Sequence, residues 1–156
     1  MPQPYVHELR VRYSECDPQG IVFNANYLVY FDLAFTELWR SALGPWQRML
    51  EQGIDAVVAE ANVRFRAPAH FDEQLQLHAR LTRLGTTAIT TEIDVTREGE
   101  LLAQGMLRYV CVASDTWSKT DLPKWVHDGL ERFLCPEAKS SREISSQGAG
   151  TSSTGA

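Results

Sequence analysis

No run of this sequence approaches the ~18–20 consecutive apolar residues of a membrane-spanning helix, so no transmembrane helix is expected. The opening residues Met1-Pro2-Gln3-Pro4-Tyr5 carry neither a basic n-region nor an apolar h-region, and the expected location is the cytoplasm. Basic blocks are missing as well. The formal net charge is −5 and the arginines are scattered singly, which argues against a nucleic-acid partner. Cysteine is scarce: Cys16, Cys111 and Cys135 are odd in number and form no CxxC pair, so neither a disulfide framework nor a zinc site is expected. The four histidines, at 7, 70, 78 and 127, show no HExxH or paired spacing, and no metal is expected.

What is present is an ordinary globular composition, 44% apolar and 22% charged, in a chain of 156 residues. That length suits one domain burying roughly 68–70% of its unfolded surface. Residues 5–13 alternate with period two, Tyr5, Leu9, Val11 and Tyr13 on one face and Glu8, Arg10 and Arg12 on the other, as in a half-buried strand. From Asn26 to Leu43 the pattern becomes a helix apolar on most of its circumference, which belongs inside a structure. Gly44 supplies its stop.

Alternation then resumes in three rows: Val57, Ala59, Ala61, Val63, Phe65; Leu75, Leu77, Ala79, Leu81; and Ile89, Ile93, Val95. Arg97-Glu98-Gly99-Glu100 reads as a hairpin turn into a strand, Leu101 to Ala113, that is apolar on both faces near Tyr109-Val110-Cys111-Val112 and is expected to be central in the sheet. Pro123 opens a last short helix through Phe133. Residues 1–135 form the expected domain and 136–156 a flexible Ser/Gly-rich tail, because residues 140–156 hold six Ser and three Gly and no aromatic residue to anchor them. A helix of ~18 residues is about 27 Å long and strands of 8–11 residues reach about 26–36 Å, so one sheet can cover the helix if it curls around it. The expected fold class is α+β: a long central helix wrapped by a curved antiparallel sheet of about five strands, the hot-dog arrangement.

The chemistry concentrates where the first strand turns through an acidic loop into that helix. Asp17 stands beside a helix N-terminus, whose free N–H groups are suited to a carbonyl oxygen as it becomes an oxyanion. The backbone near Asn24 and Ala25 is the candidate donor. Asp17 either attacks the carbonyl or deprotonates a water, and the sequence leaves both routes open.

The residues Tyr13-x-Glu15-Cys16-Asp17-x-x-Gly20-Ile21-Val22-Phe23-x-Ala25-x-Tyr27, with Thr36-Glu37 and Val63-x-Phe65-x-Ala67-Pro68-Ala69-x-x-Asp72-Glu73, resemble the hot-dog acyl-CoA thioesterases of the 4-hydroxybenzoyl-CoA thioesterase and YbgC-like kind. The resemblance spans roughly residues 7–134. It implies hydrolysis of an acyl- or aroyl-CoA to free acid and coenzyme A. No cofactor is needed, because coenzyme A is part of the substrate. Asp17 matches the family's catalytic carboxylate and Tyr13 a tyrosine assigned to the same site. A homodimer or homotetramer with sites shared between subunits is also implied. YbgC-like members usually carry histidine where this chain has Asn24; the 4-hydroxybenzoyl-CoA branch does not, so the departure bears on the substrate branch.

Each candidate has a plainer reading. Asp17 before Pro18 is also a turn signal, Asn24 a simple helix cap, and Tyr13 the end of an apolar strand face. Cys16, with no histidine close in sequence, reads as a small buried residue. Tyr27, with Tyr30 and Phe31, is expected to bound the acyl pocket. Glu37 on the helix is a secondary catalytic candidate or one half of an ion pair, and Arg64 and Arg66 either meet coenzyme A phosphates or are solvated edge charges. A non-catalytic acyl-thioester-binding or scaffold protein is the alternative function. A dehydratase would need a histidine in the loop or helix, where none stands.

Overall fold

The computed structural model describes residues 2–136. The elements run β1 (Tyr5–Arg10), α1 (Asn26–Leu43), α2 (Gln47–Glu51), β2 (Ile54–Phe65), β3 (Gln74–Leu84), β4 (Ala88–Arg97), β5 (Glu100–Ala113) and α3 (Lys124–Leu130), with 3-10 turns at Tyr13–Glu15 and Glu131–Phe133. The strands form one antiparallel sheet in the order β1-β3-β4-β5-β2, and α1 packs across it against all five strands. This is the expected hot-dog arrangement. No helix among the described residues is long and apolar enough to cross a membrane. The expected tail lies, Pro136 apart, outside the described residues.

Spacing of the apolar residues explains how α1 seats. Tyr27, Tyr30, Phe31, Ala34, Phe35, Leu38 and Trp39 recur at three and four residues and are all buried. They meet the inward rows Leu75, Leu77, Ala79 and Leu81 of β3 and Ile89, Ile93 and Val95 of β4. On β5, Gly105 has no side chain because Phe31 occupies its place: a Cβ there would lie 2.0 Å from the Phe31 ring. Phe35 stacks on Tyr109 at 4.0 Å. The turn between β4 and β5 puts both central residues, Glu98 and Gly99, at positive φ (49° and 81°), the form that matches strand twist in a two-residue hairpin.

Three expectations change. The helix is covered on one side only: Leu28 and Val29 face outward, Val29 58% exposed, because a single sheet curls past one face and leaves the other open. The row Val57, Ala59, Ala61, Val63, Phe65 is broken by a β-bulge between Val58 and Glu60. Val58 lies opposite Tyr109 and Ala61 opposite Leu107, so Val58, not Val57, shares the helix-facing side with Ala61, Val63 and Phe65. Finally, β1 ends at Arg10, and Tyr13 leaves the apolar face for a 3-10 turn where it is 80% exposed. The cause is local. Glu15 captures the Arg12 backbone N–H at 2.7 Å and tightens the chain into a turn before the strand pattern completes.

Candidate active site

After that turn the chain doubles back as a short hairpin. Cys16 bridges to Val22, the Asp17 N–H donates to the Ile21 carbonyl at 2.9 Å, and the Gly20 N–H donates to the Asp17 carbonyl at 2.9 Å. Gly20 takes φ 79°, a left-handed conformation for which glycine is suited. Asp17 uses one carboxylate oxygen, Oδ1, to accept the Gln19 N–H at 2.8 Å, the turn contact that Asp commonly makes. Its Oδ2 takes no hydrogen bond among the described residues.

The hairpin is stitched to the segment after β2. Val22 donates to the Ala69 carbonyl at 2.8 Å and Ile21 bridges to His70. Between the two lies a cavity of about 380 Å³. Asp17, Asn24 and Arg66 give it polar groups, and Tyr27, Phe65 and Pro68 an apolar wall. Tyr27 and Phe65 meet edge to face at 5.2 Å, with Phe65 54% exposed at the rim. Burial pushes the Tyr27 phenol up, partly offset by the Ala69 backbone and Arg97, so it stays a neutral hydroxyl.

At the same cavity the helix begins. The N–H groups of Asn26, Tyr27 and Leu28 donate to the carbonyls of Phe23, Asn24 and Ala25. The next two amides back, those of Asn24 and Ala25, donate to nothing among the described residues. They lie at and just ahead of the helix cap, where the helix dipole favours a negative charge. The cap position belongs to Ala25, which has no capping side chain, so Asn24 is not the helix cap. Its amide side chain stands exposed at the cavity.

Of the residues singled out from sequence, Asp17, Asn24, Tyr27 and Arg66 come together here, whereas Ala25 follows Asn24 in the chain without lining the cavity. Tyr13 does not border the cavity and packs edge-on against Phe71 at 5.7 Å. Glu37 pairs with Arg40 further along α1. Arg64 lies in a separate groove of about 490 Å³ on the outer face of the sheet, with Arg83 and Asp94. Arg66 borders the cavity, yet its guanidinium reaches back to Gln104 at 3.5 Å, the cross-strand neighbour of Arg64 in that groove.

Glu15 acquires a place that the motif did not reveal. Its carboxylate accepts the Arg12 backbone N–H, the Arg12 guanidinium at 3.1 Å and the Tyr30 hydroxyl at 3.1 Å. Burial alone would raise Glu15, but these donors outweigh it and hold the carboxyl below its ordinary range. Tyr30 is pushed far up in turn, by burial first and then by the Glu15 charge. Only the carboxylate two residues before Asp17 hinted at this; its partner Tyr30, fifteen residues away, is invisible to spacing.

Comparison with known proteins gives a consistent picture. The family described as Thioesterase superfamily matches residues 19–104. The chain is similar to the acyl-CoA thioester hydrolase YbgC of Escherichia coli O6:H1, 30% identical over 117 residues that cover 74% of this chain and 87% of that one. A hypothetical protein of Thermus thermophilus has a crystal structure that superposes with a TM-score of 0.77, at 32% identity, covering 82% of this chain and 98% of that one. A 1,4-dihydroxy-2-naphthoyl-CoA thioesterase from Synechocystis shares the fold, with TM-score 0.75 and 21% identity over 81% of this chain and 94% of that one.

Proposed function

The chain belongs to the thioesterase superfamily, and on that premise we propose that it hydrolyses the thioester of an acyl- or aroyl-coenzyme A at the Asp17 cavity. One observation carries the reading: Asp17, whose carboxylate has a free oxygen, and Asn24, whose backbone N–H is unpaired, border the same cavity, and the unpaired Ala25 N–H is next along the chain. The thioester carbonyl oxygen is received by the Asn24 and Ala25 amides. Charge then grows on that oxygen while preorganised donors face it, and losing one such donor typically costs about 100- to 1000-fold in rate. Asp17 Oδ2 attacks the carbonyl carbon, expelling coenzyme A thiolate and leaving a mixed anhydride that water hydrolyses; or it takes a proton from the water that attacks. The thiolate is a good leaving group, so no general acid is required. Asn24 orients the water or the carbonyl, Tyr27 and Phe65 bound the acyl group, and Arg66 at the rim meets the anionic end of coenzyme A. A cytoplasmic location goes with such a substrate.

The assembly follows from the open side of the fold. β2 is a twelve-residue edge strand with Val58 and Phe65 exposed, and Leu28 and Val29 of α1 are exposed as well. A second copy of the chain pairing along β2 satisfies the edge and covers those side chains, giving a dimer or a dimer of dimers. Sedimentation equilibrium checks this. A monodisperse, fully active monomer would sink the shared site.

The decisive experiment for the function is a panel of acyl- and aroyl-coenzyme A thioesters with thiol detection. Release of thiol from at least one, abolished by Asp17→Asn, is the expected result. If thioesters bind without thiol release, the non-catalytic acyl-thioester-binding reading takes its place.

A further inference from the structure

Among the described residues Glu15 is the only buried charged side chain, 9% exposed. Burying a carboxylate is costly, and an apolar residue of similar volume would often fill such a space at less cost. Glu15 makes contacts at both ends of the cavity loop. Its carboxylate holds Arg12 at the exit of β1 and Tyr30 in the second turn of α1. Its backbone carbonyl accepts two further hydrogen bonds, from the Phe23 N–H at 2.9 Å and from Asn26 Nδ2 at 2.8 Å. Phe23 and Asn26 are the residues immediately before and after Asn24 and Ala25. The two unpaired amides are thus held from both sides by one residue, and Asp17 stands two positions further along the chain from that same residue.

We propose that Glu15 is a positioning residue for hydrolysis: by tying the strand exit, the base of the loop and the start of α1 to one point, it sets the separation between the Asp17 carboxylate and the Asn24 and Ala25 amides. This rests on the thioesterase reading above. A carboxylate and an oxyanion site act on the same carbonyl only if both are near it at once, and small misplacements of such groups cost large factors in rate. Asp17 touches the substrate; Glu15 acts through it and through the two amides.

Cys16, between Glu15 and Asp17, gives a readout that does not depend on turnover, since its thiol is partly exposed and donates weakly to the Arg12 carbonyl at 3.8 Å. Iodoacetamide labelling, read by peptide mass spectrometry, reports how firmly the loop is held. In Glu15→Gln the expected result is a fall in kcat of about tenfold or more with KM little changed, the signature of a loss felt in the transition state. Cys16 labelling should rise severalfold in the same variant, with that of the buried Cys111 unchanged. Asn26→Ala, which removes one tie to the Glu15 carbonyl without altering charge, should move both readouts in the same direction. Asp17→Asn should lose turnover with Cys16 labelling as in wild type.

Wild-type kcat in Glu15→Gln overturns the proposal, and so does a loss of kcat with unchanged Cys16 labelling. Should Glu15→Gln fail to melt cooperatively, Asn26→Ala and Tyr30→Phe decide by the same two readouts. If the wild type releases thiol from no thioester, the thioesterase reading fails by itself, and Cys16 labelling alone then decides whether Glu15 holds the loop.

Discussion

Helix α1 ends in two unlike ways. At its first turn no side chain caps it, two amides near it are unpaired, a cavity opens beside it, and a single buried carboxylate gathers the surrounding backbone. At its last turn Gly44 adopts φ 83° and donates its N–H to the Arg40 carbonyl at 3.0 Å. There Trp39 packs against Trp46 and Trp125, with ring centroids 4.3 and 6.3 Å away. Arg48 lies 3.9 Å over Trp125, and Gly129 of α3 leaves the room that Leu43 fills. Even the Trp39 indole N–H has no acceptor there among the described residues, so packing holds that end. One end leaves backbone donors open and the other closes on itself, so the proposed chemistry and the packing that stabilises the fold lie apart along 18 residues of helix.

That separation is open to attack from both ends. The largest expected effect is at the first: Asp17→Asn should lower kcat by about 100-fold or more while the melting temperature stays put, since the amide is isosteric but neither basic nor nucleophilic. Trp39→Ala should do the reverse, costing about 3–5 kcal/mol in a denaturant titration with kcat of the folded protein near wild type. If it also abolishes turnover in protein still folded, the two ends are coupled and the contrast fails. Gly105→Ala lies between them and should cost about 1–3 kcal/mol by pushing on Phe31, read as a shift in the midpoint of the same titration.

A smaller effect separates the ends by pH. The folded value of Glu15 lies below its unfolded one, so its contribution to stability is full above the unfolded range, near 4.5. It is lost as pH falls through the folded value. Glu15→Gln should therefore be less stable at neutral pH and show a flatter loss of melting temperature on acidification than wild type. An identical pH profile in the two proteins would count against the assignment. The smallest effect is at Cys16: Cys16→Ser should keep kcat within about threefold, less than 1 kcal/mol in barrier. A loss as deep as that of Asp17→Asn would move the nucleophile to the thiol.

The fold could be read because its signals are local. Period-two rows and a dense apolar helix leave few arrangements for one sheet and one helix, and the order of elements followed. What was hidden depends on residues distant in the chain. The outward face of Leu28 and Val29 is set by how far the sheet reaches, and the side taken by Val58 by one extra residue in β2. Tyr13 followed the strand pattern in sequence, yet the Arg12–Glu15 contact overrode it. At the site, Asp17, Asn24 and Tyr27 were near enough in sequence to be grouped with the helix start. Phe65 and Arg66 arrive from forty residues on, where only the stitch to Ala69 and His70 explains their presence.

The extra residue in β2 has a consequence for life in a crowded solution. An uncovered edge of twelve residues, with Val58 and Phe65 exposed along it, is a template on which almost any extended chain can polymerise. The bulge bends that edge at Ala59. A straight strand that docks on one half falls out of register on the other, which disfavours extended pairing along the edge. Full-length pairing is left to a strand carrying the same bend.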